Sequence, residues 1–99
     1  MFLGSIVFDV LLPGDSRSLK EKRSYLRPVI AALKKFEVSV AEVGDQDRHG
    51  RAQLAVAVVA SEASHVREVI ERCERLVAGR PELELLSVKT RLISGEDLD

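Results

Sequence analysis

Phe2-Leu3-Gly4-Ser5-Ile6-Val7-Phe8-Asp9-Val10-Leu11-Leu12 alternates along its length. Phe2, Ile6, Phe8, Val10 and Leu12 fall on one face and Ser5 and Asp9 on the other, the period-two pattern of a strand with one buried side. Pro13-Gly14-Asp15 ends the run, since proline and glycine in succession stop regular structure. Ser18 and Glu21 then form an S-x-x-E capping box, and Leu19, Leu26, Val29, Ile30, Leu33 and Phe36 follow a helical period behind it. Pro28 inside this helix removes one backbone hydrogen bond and predicts a bend near Ser24.

Working outward, Val38 to Gly44 and Arg51 to Ala60 are rich in valine and alanine. They read as two strands of an antiparallel hairpin joined by the polar loop Asp45 to Gly50. Val66, Val69, Ile70, Cys73, Leu76 and Val77 repeat helically, and Gly79 before Arg80-Pro81 reads as the residue that stops that helix,. Glu68 to Arg72 and Glu71 to Arg75 are spaced for internal ion pairs. A last strand is predicted over about Leu83 to Ile93. The order βαββαβ, with right-handed crossovers, places both helices on one face of a four-stranded antiparallel sheet. The fold class is therefore α+β and ferredoxin-like, one domain over residues 1–93, with residues 94–99 as an acidic tail expected to fray.

The chain has 99 residues and a net charge of −1, but the charge is uneven. Residues 17 to 35 hold seven cations against Glu21, which gives that segment +6 and leaves −7 for the rest. A helix start already carries partial positive charge, so Lys20, Lys22 and Arg23 beside it work against local stability and suggest a place for an anion. At about 100° per residue, Arg23, Lys34, Arg27 and Lys20 form one stripe, while Lys22 falls inside the apolar face. Such a stripe suits contact with successive phosphates, which needs no base-specific geometry. The competing expectation is that these side chains lie along the helix edge and meet Glu68, Glu71 or Glu74 of the second helix.

No apolar run approaches the length of a membrane span, and the N-terminus lacks the features of a secretory signal. No membrane partner and a cytoplasmic location are expected. Cys73 is the one cysteine, which excludes an internal disulfide and a cysteine-based zinc cage. Its place in an apolar helical stripe predicts a buried hydrophobe rather than a nucleophile.

Three segments together resemble a known family: Ser18-Leu-Lys-Glu-Lys-Arg-Ser24, Val38-Ser-Val-Ala-Glu-Val-Gly-Asp45 and Arg51-Ala-Gln-Leu-Ala-Val-Ala-Val-Val59. They are similar to the YlxP-like proteins, a bacterial family of unknown function, and the resemblance spans nearly the whole chain. It implies a small ferredoxin-like protein without an assigned activity. Members are often encoded beside translation initiation factor two and ribosome-binding factor A, which implies a link to ribosome assembly or translation. In the loop after Asp45, members commonly carry an aromatic followed by glutamine where this chain has His49-Gly50.

Taken together, these readings predict a non-enzymatic accessory protein without a cofactor, whose partner is structured RNA or a ribosomal subunit. The candidate anion-binding residues are Arg17, Lys20, Lys22, Arg23, Arg27 and Lys34. A second expectation is a homodimer or partner-docking module on the open sheet face, carried by Leu3, Val7 and Leu85 among polar neighbours. Asp45, Asp47 and His49 alternate in the hairpin loop and are weak candidate metal ligands, since turn formers share this composition. The loop Asp15-Ser16-Arg17 with the helix start is a candidate small-anion pocket. Acylphosphatases build a catalytic pocket of that kind on this fold with an arginine and an asparagine. This chain has no asparagine, so a small hydrolase is the weakest expectation. The aromatics are too few, at Phe2, Phe8, Tyr25 and Phe36, to stack bases on the sheet as RNA-recognition motifs do.

Overall fold

A computed structural model describes residues 1–14 and 16–98, without the Leu98 side chain. The elements run β1 (Phe2–Leu11), α1 (Leu19–Lys34), β2 (Ser39–Gly44), β3 (Arg51–Ala60), α2 (Ala63–Ala78), β4 (Glu84–Ser94) and a 3₁₀ turn over Gly95–Leu98. The sheet order is β2-β3-β1-β4 with every neighbouring pair antiparallel. This is the ferredoxin-like α+β arrangement that the sequence predicts.

The alternation in β1 sets the two faces. Gly4, Ile6, Phe8 and Val10 lie opposite Val58, Val56, Leu54 and Ala52 of β3, and Ile6, Phe8, Val10, Ala52 and Leu54 are completely buried. The helices cover this layer with Leu26, Val29 and Leu33 from α1 and Val66, Val69, Ile70, Cys73 and Val77 from α2. Burying a side chain of this size contributes about 1.5–3 kcal/mol, so this layer carries most of the driving force for folding. Gly4 lets α2 pack close to β1: a Cβ there would collide with Val66 and Ile70.

Ser18 caps α1 as the box predicts, its Oγ accepting from the Glu21 N–H at 3.1 Å while Glu21 Oε2 accepts from the Arg17 N–H at 3.0 Å. Pro28 is accommodated within a continuous helix. α2 has no side-chain cap, and Gly79 ends it in an ordinary right-handed conformation, so its conformational freedom is not used there. Glu68 and Arg72 pair at 2.7 Å, whereas the expected Glu71–Arg75 pair is not formed.

Within the acidic tail, Gly95–Leu98 form a 3₁₀ segment and the Gly95 N–H donates to the Met1 carbonyl at 2.7 Å, while Asp99 lies outside the described residues. One other expectation is corrected: Leu85 is not on the open face. β4 carries a bulge, so that Asp9 faces Ser87 but Val10 faces Leu85. The extra residue, Leu86, inverts the alternation beyond it, and Leu85 packs against the core while Leu86 is exposed. Leu3 and Val7 do lie on the open face, beside Val59 and Ala55 of β3.

Candidate functional site

The candidate site is the outer surface of α1 and the junction at its N-terminal end with the β2–β3 loop. Lys22 is the surprise: its side chain is 2 % exposed. Its ammonium donates to the Asp45 carbonyl at 2.6 Å and meets Glu42 Oε2 at 2.7 Å. The carboxylate oxygen is fully buried and its contact with Lys22 is ionic. A lysine this deep is tolerated only with such partners. The contact reaches across from the first turn of α1 to the end of β2, where Asp45 takes a left-handed conformation with φ 58°, one that aspartate adopts more readily than most residues.

Lys22 therefore leaves the anion-binding set proposed from sequence, because its charge is spent inside the protein. The signal was present in the chain. Lys22 falls on the apolar face of its helix, and Glu42 falls on the same side of β2 as Val40, which packs against the core. Two inward-pointing opposite charges on neighbouring elements point to a pair.

The other stripe residues behave differently. Arg17, Lys20, Arg23, Arg27 and Lys34 are exposed. Among the described residues none of them has a side-chain hydrogen bond or an ion pair, and the contacts to Glu68, Glu71 or Glu74 that would have neutralised them are not formed. Lys20, Arg23, Arg27 and Lys34 lie along one edge of the helix. Beside Arg23, a cavity of about 300 Å³ opens between Leu19, Lys22, Glu42, Gln46 and Asp47.

The hairpin loop does not assemble a metal site. Asp45 turns its carboxylate toward Arg48 at 3.6 Å and Arg51 at 3.8 Å, and His49 contributes its carbonyl to the Ser16 hydroxyl at 2.6 Å. Among the described residues no three histidine, cysteine or acidic side chains converge as metal ligands. In the Asp15-Ser16-Arg17 pocket, Asp15 lies outside the described residues and Ser16 is buried. Cys73 is fully buried, and burial pushes its thiol pKa up, which keeps it protonated and unreactive,.

On the open face, Arg51 grips Asp9 with two parallel bonds, Nε to Oδ1 at 3.0 Å and Nη2 to Oδ2 at 2.6 Å. The bond from Arg51 holds the Asp9 carboxyl below its ordinary pKa, against a smaller upward push from desolvation,. Elsewhere on this sheet, Ser5, Ser39, Ala41, Ala55 and Ala57 line a shallow apolar depression of about 240 Å³.

A small ferredoxin-like protein whose exposed helix cations have no anionic partner among the described residues is the class these features define. The family described as "Protein of unknown function (DUF503)" matches residues 3–90, and the chain belongs to it. The uncharacterized protein YlxP of Bacillus subtilis (strain 168) is 32% identical over 77 residues, which cover 77% of this chain and 84% of that protein. Among solved structures, two de novo designed proteins share the fold. Ferredog-Diesel has a TM-score of 0.51 at 18% identity, covering 93% of this chain and 84% of the design. Foldit4 has a TM-score of 0.53 at 15% identity, covering 95% and 98%. No helix is long and apolar enough to cross a membrane among the described residues.

Proposed function

We propose that this protein is a non-enzymatic accessory factor that binds structured RNA, in a ribosomal subunit or its precursor, through the exposed edge of α1. One observation carries the reading: Lys20, Arg23, Arg27 and Lys34 lie along one helix edge with no anionic partner among the described residues. Cations left unneutralised in a row are an electrostatic footprint for a polyanion. The expectation drawn from the family resemblance points the same way.

Salt dependence tests it. If the four side chains contact phosphates, log affinity for ribosomal RNA falls with log salt at a slope of about −3. Replacing all four with alanine flattens that slope and removes salt-sensitive comigration with a ribosomal subunit in sucrose gradients. An affinity indifferent to both changes rules the reading out.

The depression on the open face supports a second reading, a homodimer. Small side chains there lie beside Val59, 62 % exposed, and Val43, 52 % exposed, so the same face offers a hollow and apolar side chains to fill it. Equilibrium sedimentation at high micromolar concentration would then show dimer, and monomer throughout would remove this reading.

A further inference from the structure

The exposed cations of α1 fall into two groups. Lys20, Arg23 and Arg27 occupy its N-terminal part, and Lys34 with the capping residue Lys35 occupies its C-terminal end. The segment between them, Pro28-Val29-Ile30-Ala31-Ala32-Leu33, carries no charge. At 1.5 Å per residue the gap from Arg27 to Lys34 is about 10 Å along the axis, and the array from Lys20 to Lys35 spans about 22 Å. The exposed residues of the gap are Pro28 and Ala31, both small. A helix built to follow one strand has no need of an empty turn in the middle of its charge.

Aromatic side chains are also withheld from the surface. Phe8 is completely buried, and Phe2, Tyr25 and Phe36 are half-buried and packed against the core. Proteins that hold single strands combine a basic track with aromatic platforms for the bases. This chain offers charge without the platform, which favours a partner whose bases are already stacked and whose phosphates stand in two rows.

We infer that α1 lies across a groove of a nucleic-acid double helix. Lys20, Arg23 and Arg27 contact the phosphates of one strand, Lys34 and Lys35 contact those of the other, and the neutral turn passes over the groove. This rests on the phosphate-binding reading above and narrows it from a polyanion to two strands held at groove spacing. The B-form major groove is about 12 Å wide, and the A-form minor groove of RNA is wide and shallow. Both lie within reach of a gap of about 10 Å closed by long, flexible side chains. Contacts of this kind fix position and carry no base sequence.

The test is fluorescence anisotropy with a labelled RNA duplex of arbitrary sequence, the matching DNA duplex and the separated RNA strands, at low and moderate salt. The proteins are the native chain, K20A/R23A/R27A and K34A/K35A, each checked for an unchanged melting transition. We expect a duplex to bind at least tenfold tighter than either strand. Each variant weakens that binding, and K34A/K35A lowers the salt slope by about two. Preference for the RNA duplex is the result expected; preference for the DNA duplex keeps the bridge and overturns the structured-RNA reading. Native-like duplex binding by K34A/K35A, or single strands bound as tightly as duplex, overturns the bridge and leaves the phosphate reading standing. Absence of binding to every nucleic acid removes both.

Discussion

The two helices have the same length, 16 residues, and pack on the same sheet, yet they are solved differently. α2 buries Val66, Val69, Ile70, Cys73 and Val77 and balances three arginines with three glutamates on its remaining surface. α1 buries Leu26, Val29 and Leu33 together with a lysine, and carries five cations against Glu21. Packing accounts for α2 completely. In α1 packing leaves a residue of charge over, and the Ser18–Glu21 cap, absent from α2, helps to hold a helix start that those cations weaken.

The largest expected effect separates the buried pair from the exposed one. Lys22→Ala strips partners from the Asp45 carbonyl and the Glu42 carboxylate and should cost about 3 kcal/mol in chemical denaturation. Arg72→Ala, which removes the surface pair of α2, should stay within about 0.5 kcal/mol. Equal losses would mean that Lys22 contributes no more than a surface charge.

Capping sharpens the same contrast at smaller scale. Ser18→Ala should cost about 1 kcal/mol. Glu62→Ala at the start of α2 should be close to neutral in the same denaturation assay, because Glu62 makes no cap bond.

The smallest effect is a reference pair outside both helices. The folded state holds the Asp9 carboxyl below its ordinary pKa, so its stabilising contribution is complete above about pH 4, the unfolded value, and disappears as pH falls through the lowered folded value. Asp9→Asn should flatten the acid limb of the stability curve and leave the slope near neutral pH unchanged, as read from denaturation midpoints against pH.

Much of the fold was legible because it rests on periodicity. The alternation from Phe2 to Leu12 and the helical spacing from Val66 to Val77 each declare one buried side, and the strand order then follows from handedness. Leu85 was misplaced because a bulge is a local backbone decision: nothing in Leu83-Glu84-Leu85-Leu86-Ser87 announces which leucine is the extra one. Lys22 was misread for another reason. Its identity argues for solvent while its position argues for the core, and only Glu42 on a different element decides between them. That Lys20, Arg23, Arg27 and Lys34 have no anionic partner among the described residues is a tertiary fact as well, since it depends on where the glutamates of α2 point.

The sheet order carries a consequence for synthesis. β1 is the first strand made and one of the two central ones, and its partners are β3 and the last strand, with Phe2 ending opposite Ala60 on one side and Ser94 on the other. Neither edge of β1 can be paired by a local hairpin, because β3 and β4 both lie far along the chain from it. The pairings of this central strand are therefore high-separation contacts, which slow folding. A permuted chain that begins at Arg51 and rejoins the old ends would run β3, α2, β4, β1, α1, β2. It makes the long β1–β4 pairing a local hairpin in exchange for the shorter β2–β3 one, and should fold faster than the native order.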